Sequence, residues 1–290
     1  MANVKELKKK IKSTKSTLKI TSAMKLVSAA KLAKSQHLIV NSRPYSMELE
    51  NAIKTAAAIV SDYSHSYLKE DSKNHNAILL VISSDKGLCG GYNSQMIKEV
   101  RKFISKNHDK KFKVYFIGKK AKEVLSKEVN LGKHFHFEKA DPTYKEIDVV
   151  AKELAAQFEI GEIGSVYVAF NLFKSAISFT PTFKKLLPMT LDIQQKEEIK
   201  RTIPFDFKYE PGQKEILDEL IPKAYVDIMF TSILDAAASE HGSRMAAMDN
   251  AASNCKDIIR KITLKMNKLR QAAITTELIE VISGAESLKA

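Results

Sequence analysis

The feature that most constrains this chain is a stretch of roughly sixty residues, 222–284, in which no further proline follows the first position and Gly242 is the one interior glycine. This stretch predicts a single long helix. At about 1.5 Å of rise per residue the helix would reach on the order of 90 Å, which is too long to pack inside one globule. Its apolar residues step by alternating threes and fours, a spacing typical of a left-handed coiled coil. They are Met245, Met248, Ala252, Cys255, Ile259, Ile262, Met266, Leu269 and Ala273. Such a seam needs a partner helix; the alternative is a bundle helix broken at residues 239–243.

A second long helix is predicted at the amino end, because residues 4–42 contain neither glycine nor proline. An apolar stripe recurs along it, with lysines behind the stripe. The stripe is formed by Val4, Leu7, Ile11, Leu18, Ile20, Met24, Val27, Leu32 and Ile39. Pro44 predicts a kink or a restart, after which helical spacing resumes to residue 60. The simplest way to bury both seams is an antiparallel coiled coil of the two terminal helices, with homodimerisation as the competing solution.

The middle of the chain has a different pattern, that of an inserted three-layer α/β (Rossmann-like) domain with a parallel sheet. Strands are predicted at residues 77–83, 113–117 and 165–170, with a hairpin over residues 173–187. Helices are predicted at residues 93–107, 121–127 and 144–158. Residues 191–213 are charged and irregular, and they predict an exposed loop. The chain therefore divides into residues 1–70, 76–190, 191–213 and 214–290.

Composition narrows the class of protein. The formal charge of +13 is concentrated in two places, residues 1–40 and residues 256–270, and such basic faces attract nucleic acid, acidic lipid or acidic protein partners. No apolar run is long enough to span a bilayer, so direct membrane insertion is not expected. Cys89 and Cys255 are too few for a disulfide framework or a metal site.

Motifs for catalysis, cofactors or metals are weak or missing. The glycine-rich loop at residues 85–93 follows a predicted strand, yet it lacks both the GxGxxG spacing and the Gly-Lys-Ser/Thr ending of a phosphate-binding loop. Cys89 has no histidine near it in sequence to serve as a base, and it is interpreted as a packing residue. His134 and His136 share a face of an extended segment without a third metal ligand. We expect no catalytic residue, cofactor or metal, and nucleic-acid binding is a minority interpretation because no aromatic residues interleave with the lysines.

Three separated segments together resemble the gamma subunit family of the F-type rotary ATP synthase. Near the amino end, residues 19–27 read KITSAMKLV and are similar to the family's first-helix motif. After the first predicted strand, residues 83–91 read SSDKGLCGG and are similar to its glycine-rich loop. At the carboxyl end, residues 270–285 read RQAAITTELIEVISGA, in which residues 270–272, 274–277, 280 and 284–285 fit its signature position by position. The resemblance spans the chain, and residues 128–145 and 192–208 have no clear family pattern.

The resemblance implies a non-catalytic rotor. In this family the paired terminal helices form an asymmetric shaft inside the catalytic hexamer, and the α/β domain lies beside the membrane ring. The implied partners are the alpha and beta subunits of the hexamer, the epsilon subunit and the membrane c-ring. The implied location is peripheral, on the cytoplasmic face of the bacterial cell (inner) membrane. The chloroplast branch of the family is not expected, because the middle domain lacks the additional cysteine pair of that branch. The unprocessed start favours a bacterial protein.

The resemblance also implies three sets of contact residues. Those expected to contact the catalytic subunits are Met24, Leu88, Cys89, Gly90, Arg270, Gln271 and Thr275. An apolar bearing at the end of the shaft is expected from Leu278, Ile279 and Ile282. Contact with the membrane ring is expected from Phe207, Tyr209 and Glu210.

Overall fold

The computed structural model describes residues 2–59, 63–71, 73–137, 142–190, 210 and 212–287. Among the described residues, two very long helices, α1 and α5, stand before and after five strands and three shorter helices in chain order. The elements are α1 (Ala2–Ile59), a 3-10 helix (Ser66–Leu68), β1 (Asn76–Ile82), α2 (Tyr92–Lys106), β2 (Lys111–Ile117), α3 (Lys119–Leu125), β3 (Asn130–Phe135), α4 (Tyr144–Glu159), β4 (Ser165–Ser175), β5 (Ser178–Leu187) and α5 (Gln213–Ser287).

The strands form one mixed sheet in the order β3-β2-β1-β4-β5. β1 is parallel to both of its neighbours, with Ala77 opposite Phe112 on β2 and opposite Ser165 on β4. β5 returns antiparallel to β4, as the predicted hairpin requires. The predicted fold class, long terminal helices with an inserted α/β domain, is confirmed.

The sheet is covered on both faces, which explains why β1 is apolar along almost its whole length. Ala77, Leu79 and Val81 point to one face and pack with α2 and α3. Ile78, Leu80 and Ile82 point to the other face, where α4 and parts of α1 and α5 complete the core. This alternation is the period of two expected for a strand, and it gives the three layers.

Compactness divides the chain into two units, residues 30–243 and residues 1–29 with 244–290. In the first unit, α1 and α5 run antiparallel: the Ser46 hydroxyl donates to Asp227 Oδ2 at 2.6 Å, while the earlier residue Arg43 faces the later residue Asp235. The predicted boundaries at residues 70, 76, 190 and 213 stay predictions.

The second unit consists of the first half of α1 and the second half of α5. The predicted seam of α5 lies inward throughout, because every one of its nine residues is buried or half-buried in the structure. Met248, Ala252 and Cys255 are the most deeply buried of them. A salt bridge of 2.6 Å from Lys25 to Asp249 joins the two helices. The alternative of a helix broken at residues 239–243 is wrong, because α5 is continuous there.

The predicted stripe of α1 is partly wrong. Ile20 and Val27 are exposed, whereas Thr21, Ser28 and Ser35 are buried in their place. These three positions lie seven residues apart and therefore repeat on one face of the helix. The Thr21 hydroxyl donates to the Thr17 and Leu18 carbonyls, both at 3.1 Å, so its burial leaves no unpaired donor. Apolarity alone failed to find this column because it is made of hydroxyl side chains.

Neither proline divides a helix. Pro44 lies inside α1, and Pro222 lies inside α5, which begins nine residues earlier at Gln213. Pro44 is exposed, on the outer side of a helix whose opposite face packs on the core. Tertiary packing therefore maintains a helix that propensity would interrupt. The strand β3 was not predicted as such; it is an edge strand paired only with β2 among the described residues.

Ile53 on α1 tests how strongly the helices depend on the core. Its side chain is 3% exposed, so Ile53→Ala should lower the free energy of unfolding by about 2–5 kcal/mol through lost burial and a cavity. Met47→Ala on the exposed face of the same helix should change it by less than about 0.5 kcal/mol. Denaturant unfolding of the full chain, followed by circular dichroism, measures both. Equal effects of the two substitutions would contradict the packing described.

Candidate functional site

The carboxyl ends of β1 and β4 define the position where an α/β sheet of this kind ordinarily binds a ligand. Chain order reverses between these two strands, since β2 and β3 lie on one side of β1 and β4 and β5 on the other. Ligands of open α/β sheets bind in the crevice at such a switch point. Residues 83–91, which include most of the glycine-rich loop of residues 85–93, leave β1 here.

Asn93, in the first turn of α2, holds this loop in shape. Its amide nitrogen donates to Ser84 Oγ at 2.7 Å and to Cys89 Sγ at 3.2 Å, and its oxygen accepts from the Ser84 amide at 3.2 Å. Ser84 Oγ in turn donates to the Lys86 carbonyl at 2.8 Å. The Cys89 thiol is buried inside this network, in agreement with the packing role inferred for it.

The crevice holds the chain's own helix α5. The Tyr92 hydroxyl donates to the Ala236 carbonyl at 3.1 Å, the Ser239 hydroxyl to the Asn171 carbonyl at 2.9 Å, and the Ser243 hydroxyl to the Cys89 carbonyl at 2.6 Å. We call residues 235–243 the docking segment of α5. Because this segment lies where a nucleotide would bind, the glycine-rich loop acts as a support for a helix.

Leu88 is the strained residue of the loop. Its φ is 62°, a left-handed conformation that is unfavourable for a leucine, and its side chain is 64% exposed. Strain of this kind persists where the surroundings impose it, often at functional positions. Gly90 also has a positive φ and is exposed. Of the three predicted contact residues here, Leu88 and Gly90 are accessible, while the Cys89 side chain is not.

In the other unit, the predicted contact residues lie on accessible helix faces. Met24 is half-buried, and Arg270, Gln271 and Thr275 are exposed. The three predicted bearing residues are exposed as well, together with neighbouring apolar side chains. This exposed apolar set consists of Ile274, Leu278, Ile279, Val281 and Ile282. A concentration of large apolar side chains in water is the mark of an interaction surface.

The remaining expectations concern the ring contact, metals and the membrane. Glu210 is exposed, whereas Phe207 and Tyr209 lie outside the described residues. The rings of His134 and His136 are 6.5 Å apart, and across the described part of the chain no three His, Cys, Asp or Glu residues group as metal ligands do. A search of the described helices for a span long and apolar enough to cross a membrane finds none.

Two carboxylates of α5 lie where burial disfavours their charge. Burial raises the pKa of Asp235 to about 6, although nearby Arg43 and the Phe173 amide oppose the increase. Burial likewise raises the pKa of Asp227, against the hydrogen bond from Ser46. Both residues face the region where α1, α5 and the β4–β5 hairpin meet, and the raised pKa values predict that the charge of this region changes with pH.

Comparisons with known proteins agree with the geometry. The family model described as ATP synthase matches residues 3–288. The ATP synthase gamma chain of Geotalea uraniireducens is 39% identical over 291 residues, with both chains fully covered. That of Erythrobacter litoralis is 40% identical over 296 residues, covering 99% of this chain and 100% of its own. The chain belongs to the ATP synthase gamma chain family. The resemblance found in the three motifs is thereby confirmed, and with it the function as gamma subunit of an F-type ATP synthase.

Solved structures show the same fold at lower identity. A chain of the Euglena gracilis mitochondrial ATP synthase superposes with a TM-score of 0.69 at 17% identity, covering 99% of this chain and 95% of its own. A chain of the Tetrahymena thermophila mitochondrial ATP synthase, from a structure of the central stalk and c-ring, gives 0.58 at 23% identity. It covers 80% of this chain and 99% of its own. The gamma chain fold is thus shared by distant relatives.

Sequence reasoning missed the residues that bind the docking segment to the sheet. Tyr92 and Asn171 are completely buried, and Ser239 is nearly so. One signal was present: Ser239 and Ser243 are four residues apart, which places two hydroxyls on one helix face.

Asp235 gives a pH test. Between about pH 4 and about pH 6 the unfolded chain loses this proton before the folded chain does, so rising pH should lower the free energy of unfolding. The loss is complete about one pH unit above the folded pKa, near pH 7. Asp235→Asn keeps an oxygen to accept from the Phe173 amide but does not titrate, so the variant should lose less stability across this interval and exceed the parent at pH 7.

The measurement is the denaturant midpoint of the full chain from pH 4 to pH 7. Asp109→Asn, on an exposed loop, is the matched control and should follow the parent. Asp227 is present in all three proteins, so its contribution cancels. Parallel profiles for parent and Asp235→Asn would show that the Asp235 carboxyl is not destabilised by burial.

Proposed function

We propose that this chain is the non-catalytic rotor of a proton-translocating ATP synthase, which couples rotation of a membrane ring to ATP synthesis or hydrolysis in the catalytic subunits. One observation carries the proposal. The end of α5 exposes a group of large apolar side chains, as a shaft turning inside an apolar collar requires. Within that surface, Leu278, Ile279 and Ile282 form the bearing.

The asymmetry of the helix pair supplies the mechanism. α1 and α5 differ in sequence, so the pair presents a different face in each direction. Catalytic subunits arranged around it therefore meet different surfaces, and each is biased toward a different nucleotide affinity. Rotation exchanges these faces in turn. No reacting group is needed on the shaft itself, because the energy passes through differential contacts.

The catalytic-subunit contacts are those that the family resemblance implies, and the exposure of Arg270, Gln271 and Thr275 supports them. Met24, Arg270, Gln271 and Thr275 contact the loops of the alpha and beta subunits. The lysines of the first half of α1 attract acidic segments of the same subunits. They are Lys5, Lys8, Lys9, Lys10, Lys12, Lys15, Lys19 and Lys25.

The glycine-rich loop provides a second contact with a catalytic subunit. Leu88 and Gly90 present the accessible surface, and Cys89 contributes indirectly, because its buried thiol helps to hold the loop in shape. The strained and exposed Leu88 supports this assignment, because strain of this kind often marks a functional position and the exposed side chain is available to a partner.

The rotor engages the membrane ring through Phe207, Tyr209 and Glu210, and the epsilon subunit completes the stalk. The chain is then peripheral, on the cytoplasmic face of the bacterial cell inner membrane. Occupation of the sheet crevice by α5 supports the absence of a catalytic site, since that is where this fold would hold a nucleotide.

Native capture tests the function. The tagged chain, extracted from its membranes in mild detergent, should bring down a large assembly that hydrolyses ATP in the presence of magnesium and pumps protons after reconstitution. The purified chain should hydrolyse none. Hydrolysis by the purified chain, or capture of nucleic acid in place of the assembly with loss on adding salt, would contradict the proposal.

Leu88→Asn tests the loop contact. Asparagine tolerates a left-handed conformation, so the variant should keep the loop and change the free energy of unfolding by less than about 1 kcal/mol. Loss of the apolar side chain should weaken binding to the catalytic hexamer by about 1 kcal/mol, or about fivefold. Titration of the chain into isolated hexamer measures the affinity. Val124→Asn, at an exposed apolar residue of α3, should bind as the parent does, and equal binding by Leu88→Asn would remove the contact.

A further inference from the structure

The docking segment of α5 is held by directional bonds on successive turns. Ala236, Ser239 and Ser243 follow at spacings of three and four, so their contacts fall within an arc of about 60° on one side of the helix. Each bond joins a side-chain hydroxyl to a backbone carbonyl, and each crosses between α5 and the α/β domain. Rolling α5 against the domain would misalign all three bonds together.

The groups on the domain side are themselves braced. The side-chain amide of Asn171 donates to the Tyr92 backbone carbonyl at 3.4 Å. The Tyr92 ring packs edge-on against Phe179, with 5.7 Å between ring centroids. Cys89, whose carbonyl accepts from Ser243, is fixed by Asn93 through its sulfur. Load on the docking segment therefore passes directly into β4, β5 and the start of α2.

Gly242 permits this close approach. A Cβ atom at this position would lie 2.7 Å from the Ala176 carbonyl oxygen and 3.2 Å from its carbon, in the turn between β4 and β5. Those atoms belong to backbone, which cannot rotate away as a side chain can. Glycine weakens a helix interior, so its use here indicates that contact with the hairpin outweighs helix propensity.

We propose that the docking segment is the torque junction of the rotor, the place where rotation of the α/β domain is transferred to α5, with Tyr92, Ser239 and Ser243 as positioning residues and Gly242 as the close-contact position. The inference rests on the proposed rotor function. It assigns a mechanical role to the sheet crevice, which clamps the chain's own helix.

The test uses the assembled complex in inverted membrane vesicles and compares ATP hydrolysis with ATP-driven proton pumping. Ser239→Ala with Ser243→Ala removes two of the bonds, and Gly242→Ala displaces the hairpin. We expect hydrolysis to stay within about twofold of the parent. The ratio of pumping to hydrolysis should fall by about fivefold or more, because α5 slips against the domain.

Ser232→Ala is the matched control. This serine is as deeply buried on the same helix, but its hydroxyl donates at 2.7 Å to the Ile228 carbonyl of α5 itself. Its loss should leave the ratio unchanged. A further pair of variants changes Ser243 alone. Ser243→Ala should lower the ratio of pumping to hydrolysis, whereas Ser243→Thr keeps a hydroxyl at this half-buried position and should retain most of the ratio.

Two outcomes would overturn the inference: an unchanged ratio in the double serine variant, or an equal fall in the Ser232→Ala control. If the double variant does not assemble, Tyr92→Phe decides, because it retains the buried ring and removes one bond; an unchanged ratio there overturns the inference as well. The two proposals fail differently. A parent complex that does not pump would contradict the rotor function, whereas a coupled parent with equally coupled variants would contradict the torque junction alone.

Discussion

Hydrogen bonds from buried hydroxyls to backbone carbonyls are the interaction on which the rest of this structure depends. Ser239 is buried on α5, and an unpaired buried hydroxyl would be destabilising. The carbonyl of Asn171 satisfies it only because β4 extends past the end of β1, and the carbonyl of Cys89 meets Ser243 only because Asn93 closes the loop. The shape of the loop, the length of the hairpin and the continuity of α5 are therefore all needed for α5 to bond to the α/β domain.

The helix pair follows a different logic. On α1, the column of Thr21, Ser28 and Ser35 places small hydroxyl side chains at buried seam positions. Thr21 pairs with carbonyls of its own helix, so this residue is buried without needing a partner from elsewhere. A seam of this kind gains less from apolar burial than one of leucine and isoleucine, and it places few directional demands on the helix opposite. The seam therefore holds its helices through the packing of small side chains, whereas the docking segment holds α5 through directional hydrogen bonds.

Local pattern was sufficient where a segment's environment is uniform. β1 is buried on both faces and reads as an apolar run, and α4 begins with the capping box of Thr143 and Glu146 just where its helical spacing begins. Pattern failed where burial is partial or depends on distant residues. β3 contains Gly132 and Lys133 and lies at an edge, so nothing in it alternates clearly. Tyr92 meets Ala236 across 144 positions in sequence, and no local signal could have joined them.

The site residues divide in the same way. Leu88 was found through a motif, but its significance comes from a backbone angle and an exposure that only the fold reveals. Open α/β sheets ordinarily use the switch-point crevice to bind a ligand by hydrogen bonds from a glycine-rich loop. Here carbonyls of that loop and of β4 accept from serines of α5, so the same surface recognises a helix. Fold alone would have suggested a nucleotide site. The hydrogen bonds that join α5 to the loop and to β4 are the reason to assign the crevice a mechanical role.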